Sequence, residues 1–138
     1  MKVSMKDFYS MVQEADDAGA CEEAIERLRE FKSLKEFSNH DKAPYWVFRY
    51  ARYVLKGRFI LGEEILAKDA AFAYYYAKFV LKGRFIAAEP IIAKIAFLSV
   101  NYAKNVVKGR FTLGERAIYG DYDYAKSYIA FLNTLDSI

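Results

Sequence analysis

The stretch Lys56-Gly57-Arg58-Phe59 decides the fold, because it returns as Lys82-Gly83-Arg84-Phe85 and again as Lys108-Gly109-Arg110-Phe111. Each return follows after 26 residues. A tyrosine–alanine pair precedes each copy and a small residue with a glutamate follows it, in constant register: Tyr50-Ala51, Tyr76-Ala77, Tyr102-Ala103, then Gly62-Glu63, Ala88-Glu89, Gly114-Glu115. A fixed step of this length with several matched positions indicates a helical repeat protein.

Each repeat predicts two short helices. The first carries apolar residues at i, i+1, i+4 and i+5, as in Phe72, Ala73, Tyr76 and Ala77. We expect the glycine after it to adopt the left-handed C-terminal conformation and the preceding lysine to face the helix dipole. The second helix is expected over about two turns, as at residues 61–68, and it buries an apolar pair: Ile65 with Leu66, Ile91 with Ile92, and Ala117 with Ile118. Pro90 places the start of one second helix near Ala88.

The repeat predicts an all-α fold, a right-handed α-solenoid of short helix pairs with an N-terminal helical cap. Helices this short cannot bury both faces alone, so successive pairs must stack. The cap covers residues 1–37 and contains two predicted helices. The repeat array covers residues 38–138 and begins with a loop at residues 38–44. A single helix over residues 122–132 closes the array. Cap and array are expected to form one structural unit, because so short a cap is too small to be stable alone.

Composition fits a folded domain with an uneven charge. The 138 residues are 54% apolar and 28% charged, which provides a continuous core and argues against disorder. The net charge is +3. Residues 1–36 hold six Lys/Arg and nine Asp/Glu, whereas residues 37–138 hold fifteen and nine. An acidic head on a basic body favours a partner with a charge preference, or a head that docks on its own body.

Several functions are not expected from this sequence. The uncharged stretches are too short to span a membrane, and the first residues lack the apolar core of a secretion signal. The single Cys21 and single His40 are a poor basis for a disulfide or a metal site, so we expect a cytoplasmic protein without metal or cofactor. Neither a phosphate-binding glycine loop, an HExxH motif nor a nucleophile elbow is present, so no enzyme is predicted.

The pattern Tyr-Ala-x-x-Val-Leu-Lys-Gly-Arg-Phe-x-x-x-Glu resembles short helical repeats of uncharacterised proteins from tailed bacteriophages and large viruses. In those repeats an aromatic residue commonly follows Gly-Arg, and Ala-Glu-Pro often opens the second helix, as Ala88-Glu89-Pro90 does in this chain. The likeness covers roughly residues 45–131. It implies a helical solenoid and a viral setting, and it implies no activity.

The repeated charges allow two interpretations. Each arginine is followed five residues later by a glutamate, which predicts structural ion pairs: Arg58 with Glu63, Arg84 with Glu89, and Arg110 with Glu115. Such pairs are expected to be buried and to hold successive layers together. Alternatively, the loops form a cationic row that follows a phosphate backbone or an acidic protein surface. The lysines that precede the glycines, Lys56, Lys82 and Lys108, are the candidate anion-binding residues.

The positions that vary between repeats are better candidates for partner binding. One residue before, two after and three after the repeated tyrosine, the first helices carry aromatic and basic side chains that stacking would align. The candidate partner-binding residues are Arg49, Arg52, Tyr53, Tyr75, Lys78, Phe79 and Lys104. Such residues dominate protein interfaces, although they also suit stacking on single-stranded nucleic acid. Tyr119, Tyr122 and Tyr124 form either a ligand-binding patch or, more often in such proteins, capping aromatics.

Three functional hypotheses follow. The first is a non-enzymatic protein–protein interaction module, a phage accessory protein that binds and inhibits a host enzyme or defence factor. The second is nucleic-acid binding through the repeated basic loops. The third is a structural protein that assembles head to tail. The partner is expected to be a host or viral protein, with the chain a monomer or small homo-oligomer in the host cytoplasm.

Overall fold

A computed structural model of the chain describes residues 12, 13, 16, 17, 29, 36, 39 and 41–136. Every regular element in those ranges is a helix, so the described part of the chain is all-α. The chain divides into two compact units, residues 1–65 and 66–138. The boundary expected after residue 37 falls within the first unit, and most of the predicted cap, including Cys21, lies outside the described residues.

The first unit contains the first repeat. Helix α1 spans Ala43–Arg49 and continues as a π-helical segment over Tyr50–Leu55. Helix α2 follows at Ile60–Leu66, at the boundary of the unit. The loop predicted over residues 38–44 is therefore too long, because Ala43 and Pro44 already belong to α1. Proline fits a first turn, where its missing N–H would have had no helical partner.

The second unit repeats the same plan. The second repeat has α3 at Ala70–Tyr76 with a π-helical continuation at Ala77–Leu81, then a 3-10 turn at Ile86–Ala88 and α4 at Glu89–Ile92. The third repeat has α5 at Ala96–Tyr102 with a π-helical continuation at Ala103–Val107, then a 3-10 turn at Thr112–Gly114 and α6 at Glu115–Tyr119. Helix α7 follows at Tyr122–Leu135. Asp69 caps α3 by accepting a hydrogen bond from the Phe72 N–H, at 3.0 Å. Asp121 caps α7 in the same way.

The second helix of the first unit, Ile60–Leu66, has about two turns and buries Ile65 and Leu66 as predicted, whereas those of the second unit are shorter. In α4, only four residues are α-helical, preceded by the 3-10 turn. Pro90 occupies the first turn and Ala88 the N-cap, as the sequence predicts. Only the second residue of each predicted apolar pair in this unit is buried, namely Ile92 and Ile118, while Ile91 and Ala117 are half-buried. A helix with only about one turn has a narrow face in contact with the core.

The core of the second unit is formed by the repeated apolar stripe. Helix α3 contacts α5, and α5 contacts α7. The tyrosines Tyr76, Tyr102 and Tyr128 and the alanines Ala77 and Ala103 are fully buried. These positions recur at the 26-residue step, so the repeat in the sequence is a repeat of core positions.

The left-handed residue that ends each first helix is a lysine, where glycine was predicted. Lys56, Lys82 and Lys108 have φ angles of 54°, 53° and 57°. The π-helical segment of the second repeat ends at Leu81, so the reversal falls on the next residue, Lys82. The Lys82 N–H and the Gly83 N–H both donate to the carbonyl of Ala77, the latter at 3.2 Å. The glycine completes this capped turn without carrying the reversal.

Small residues allow the helices to approach closely, as predicted. A Cβ atom added at Gly114 would lie 2.6 Å from the Ser99 hydroxyl oxygen and 2.7 Å from a ring carbon of Phe111. At Gly62 it would lie 2.4 Å from a methyl carbon of Val47. All three distances are shorter than van der Waals contact, so glycine is required by the packing in these two repeats.

Candidate functional site

In the first unit, two arginines contact aromatic rings along α1 and its π-helical continuation, and of these rings Tyr45 and Tyr53 are exposed whereas Phe48 is buried. The guanidinium carbon of Arg49 lies 5.6 Å from the centre of the Tyr45 ring and 4.9 Å from that of Tyr53. The guanidinium carbon of Arg52 lies 5.1 Å from the Tyr53 ring and 5.9 Å from the Phe48 ring. We call these five residues the Tyr53 cluster. Cation–π contacts at such distances orient the arginines and hold them at the surface.

In the second unit, the equivalent repeat positions carry a smaller group of the same kind. Tyr75 and Phe79 have ring centres 6.4 Å apart, and the Lys78 ammonium lies 4.9 Å from the centre of the Phe79 ring. All three side chains are exposed. We call these residues the Phe79 cluster. They place aromatic area beside positive charge, a combination enriched at protein interfaces.

The third repeat loses this character at the same positions. The half-buried Lys104 donates to the Ser127 hydroxyl at 2.6 Å. Asn105 donates to the Tyr74 hydroxyl at 2.8 Å, and Asn101 donates to the Phe97 carbonyl at 2.8 Å. The predicted binding residue Lys104 therefore lies in a hydrogen-bonded contact between α5 and α7. At these positions of the second and third repeats, the exposed aromatic and cationic side chains are therefore those of the Phe79 cluster.

The structure forms the three ion pairs that the five-residue spacing predicts. Arg84 makes two hydrogen bonds to Glu89, at 2.8 and 2.7 Å, and Arg110 makes two to Glu115, at 2.6 and 3.0 Å. In the first unit Arg58 binds Glu63 likewise, at 2.8 and 3.0 Å. Their burial differs from the prediction, because the arginine side chains are exposed and only the glutamates are largely covered.

In the second unit a buried tyrosine completes each pair. The Tyr102 hydroxyl donates to Glu89 at 2.6 Å and accepts from the Phe85 N–H at 2.9 Å. The Tyr128 hydroxyl likewise donates to Glu115 at 2.6 Å and accepts from the Phe111 N–H at 3.0 Å. Each tyrosine belongs to the repeat that follows its glutamate, so the hydroxyl ties successive repeats together. The sequence analysis assigned these tyrosines to the apolar stripe and missed the hydrogen bonds.

These contacts set the ionisation of the buried groups. Burial by itself would raise the pKa of Glu89, but the hydrogen bonds from Arg84 and Tyr102 and the charge of Arg84 outweigh it, and the pKa lies below 4.5. The hydrogen bond from Arg110 lowers the pKa of Glu115 against the effect of burial. Burial, together with the hydrogen bond to Glu115, raises the pKa of Tyr128 to about 12. The carboxylates are therefore ionised and the tyrosines neutral near pH 7.

The repeated lysines are exposed and differ from the arginines in their contacts. Within residues 41–136, the side chains of Lys56, Lys82 and Lys108 make no hydrogen bond or ion pair. Lys82 and Lys108 follow π-helical segments that contact each other, so they lie on neighbouring turns of one edge of the second unit. Their charges are available to an anion.

The other candidates of the sequence analysis add little to a site. Tyr122 is the most exposed of the C-terminal tyrosines, at 80%, while Tyr119 packs edge-on against the buried Tyr128 ring, with centres 5.9 Å apart. Tyr124 packs against Phe97 at 6.0 Å. Two of these tyrosines therefore pack against other aromatic rings. His40 and Cys21 lie outside the described residues.

The described part of the chain holds no group of three or more His, Cys, Asp or Glu side chains that could bind a metal ion. None of the helices described for this chain is both long and apolar enough to cross a membrane. Comparisons of the chain with family models, with curated proteins and with solved structures found no match.

Proposed function

We propose that this protein is a non-enzymatic interaction module whose Tyr53 and Phe79 clusters bind another protein. The observation that carries the proposal is the stacking of Arg49 and Arg52 on Tyr53, a tyrosine that remains 50% exposed, at 4.9 and 5.1 Å. Tyrosine and arginine are the residues that most often dominate binding energy at protein interfaces. Rings and guanidinium groups that are already oriented lose little conformational entropy on binding.

We further propose that the chain is a right-handed α-solenoid with an N-terminal helical cap. Two observations support it: the constant 26-residue step of the sequence, and the hydrogen bonds by which Tyr102 and Tyr128 reach the preceding repeat. In a solenoid, equivalent positions of successive repeats form one continuous face. The variable positions one before and three after the repeated tyrosine would then carry the aromatic and cationic side chains that bind a partner.

The proposed partner is a host enzyme or defence factor, bound and inhibited in the host cytoplasm by a phage accessory protein. The support for this part is the resemblance of Tyr-Ala-x-x-Val-Leu-Lys-Gly-Arg-Phe to repeats of phage and viral proteins. A preformed helical surface without a reaction centre suits an inhibitor that acts by covering its target.

The proposal is tested by a tagged pull-down from bacterial lysate, divided into nuclease-treated and untreated halves and analysed by mass spectrometry. We expect one dominant protein that is recovered equally from both halves. A variant in which Tyr53, Tyr75 and Phe79 are alanine should not recover it. The matched control replaces three exposed apolar residues outside the clusters, Ile86, Phe97 and Tyr122, with alanine. Equal recovery by both variants would contradict the proposed surface.

Nucleic-acid binding is the second candidate function, favoured by the exposed and unpaired side chains of Lys82 and Lys108 on one edge. Neighbouring helices lie about 8–10 Å apart, a spacing that lets successive lysines contact one phosphate backbone. This function predicts affinity for a single-stranded oligonucleotide that falls steeply with salt. It also predicts loss of binding when Lys56, Lys82 and Lys108 become glutamate. An affinity that is flat between low and moderate salt would exclude it.

A further inference from the structure

Arg49 is an exposed arginine held between two tyrosine rings. Its guanidinium carbon lies 5.6 Å from the Tyr45 ring centre and 4.9 Å from the Tyr53 ring centre, and both tyrosines are partly exposed. The N–H donors of a guanidinium group lie along the edge of its plane, so a ring contact on its face leaves them able to bind an acceptor.

No acceptor for these donors is found within the described residues, where Arg49 makes no hydrogen bond and no ion pair. The three repeated arginines differ, because each is bound through two hydrogen bonds to its own glutamate. A guanidinium group whose N–H donors have no acceptor matches a carboxylate, which accepts two parallel N–H bonds. The nearby Arg52, stacked on the same Tyr53 ring at 5.1 Å, adds positive charge beside it.

We propose that Tyr45, Arg49 and Tyr53 form a clamp for the carboxylate of an aspartate or glutamate in a partner protein. This inference rests on the proposed protein-binding function and names the chemistry that the partner must present. The two tyrosine rings contact the apolar residues on either side of that carboxylate. A protein segment fits better than a phosphate backbone, because tight phosphate binding needs several cations in a row, whereas the clamp offers aromatic area around one arginine.

The test uses the full chain and a random-sequence peptide library, with the enriched peptides synthesised and their affinities measured by fluorescence anisotropy. We expect enriched peptides to contain an aspartate or glutamate beside an apolar residue. Arg49→Lys should weaken binding at least tenfold, because lysine keeps the charge but cannot form two parallel bonds or stack in the same way. Arg116→Ala, which removes another exposed arginine, is the matched control and should leave the affinity unchanged.

A second measurement links the arginine to the carboxylate. Replacing the acidic residue of the peptide with its amide should cost the same affinity as Arg49→Lys, and the two changes together should cost little more than either alone. The clamp is overturned if no peptide is enriched, if enriched peptides lack acidic residues, or if Arg49→Lys binds within twofold of the wild type. Binding that needs Tyr53 and Phe79 but not Arg49 would remove the clamp and leave the proposed function standing. Arg49-dependent binding of a labelled oligonucleotide, with no peptide bound, would overturn both.

Discussion

At the scale of single residues, the hydroxyl groups of Tyr102 and Tyr128 decide how successive repeats of the second unit are joined. Each donates to a buried glutamate and accepts from a buried backbone N–H. Without the hydroxyl, both the buried carboxylate and the buried amide would lose a hydrogen-bond partner. Buried polar groups without partners are costly, so these hydroxyls matter more to stability than their size suggests.

We expect Tyr102→Phe to lower the free energy of unfolding by about 1–3 kcal/mol, the cost of leaving buried hydrogen-bonding groups unsatisfied. Urea denaturation followed by circular dichroism measures the change. The matched control is Tyr122→Phe, which removes a hydroxyl from a side chain that is 80% exposed. That control should change stability by less than about 0.5 kcal/mol. An unchanged denaturation midpoint for Tyr102→Phe would contradict the role given to its hydroxyl.

The lowered pKa of Glu89 predicts a dependence of stability on pH. Because the pKa is lower in the folded than in the unfolded protein, the carboxylate stabilises the fold above the unfolded value near 4.5. That contribution disappears as the pH falls through the folded pKa. Glu89→Gln should therefore destabilise the protein at pH 7 by about 1–3 kcal/mol and make it less sensitive to acid than the wild type.

Urea midpoints of wild type and Glu89→Gln at pH 7 and at pH 3 measure this difference, and the other carboxylates affect both proteins alike. Glu64→Gln, at an exposed position, serves as the control and should follow the wild-type curve. Identical losses of stability on acidification for Glu89→Gln and the wild type would refute the prediction.

The hydroxyl contacts show what residue patterns can and cannot reveal. The five-residue spacing of arginine and glutamate predicts the ion pairs, since side chains so close in sequence need no knowledge of the fold to meet. The tyrosine lies thirteen residues after its glutamate, as Tyr102 does after Glu89, and its stripe position accounts for the burial of the ring alone. The constant separation of two repeated polar groups was a signal that could have indicated the bond.

At the scale of helices, the repeats adjust the volumes of facing residues. Ser99 faces Gly114 and Val47 faces Gly62, and in both cases a Cβ atom on the glycine would overlap its neighbour. In the repeat between them the equivalent residues are Ala73 and Ala88, both fully buried. In this middle repeat the residue in the first helix is smaller, alanine in place of valine or serine. The residue that faces it is larger, alanine in place of glycine. The total volume at this contact stays nearly constant, as close packing requires.

Gly114→Ala should destabilise the protein by about 1–3 kcal/mol, the usual cost of overpacking a closely packed contact. Adding Ser99→Ala should recover part of that loss, because the pair then resembles Ala73 with Ala88. The control is Gly109→Ala, where an added Cβ would meet nothing within 4 Å. Thermal denaturation of Gly114→Ala, Ser99→Ala, the double variant and Gly109→Ala provides the comparison. Independent, additive effects of Ser99→Ala and Gly114→Ala would disprove the volume exchange.

Helix ends were the least predictable elements. A glycine after an apolar helix usually carries the left-handed residue, and the sequence indicated Gly57, Gly83 and Gly109. Each π-helical segment ends at the residue directly before the lysine, so the lysine, and not the glycine, has the left-handed conformation. A π-helical turn has no clear sequence pattern, because it changes the hydrogen-bond register without changing which residues are apolar.

At the scale of the whole molecule, the repeat accounts for the fold class and for the positions of the core. It does not specify the partner, because repetition preserves what builds the protein, whereas binding depends on what varies. The varying position Arg49 contacts Tyr53 four residues later, a contact within one helix that this spacing favours, whereas Arg52 precedes Tyr53 directly. The position of Lys104 in the repeat did not predict its contact, since its hydrogen bond to Ser127 depends on how α5 packs against α7.

The central claim, that the aromatic and cationic clusters bind a protein, is tested most directly by an affinity measurement with the captured partner. Wild type, the variant with alanine at Tyr53, Tyr75 and Phe79, and the control with alanine at Ile86, Phe97 and Tyr122 are compared by calorimetry after circular dichroism has verified that all three are helical. The account predicts at least a hundredfold loss of affinity for the first variant and less than a threefold change for the control, because interface aromatics commonly contribute about 2 kcal/mol or more each. Undiminished affinity of a folded Tyr53, Tyr75 and Phe79 variant would contradict the claim.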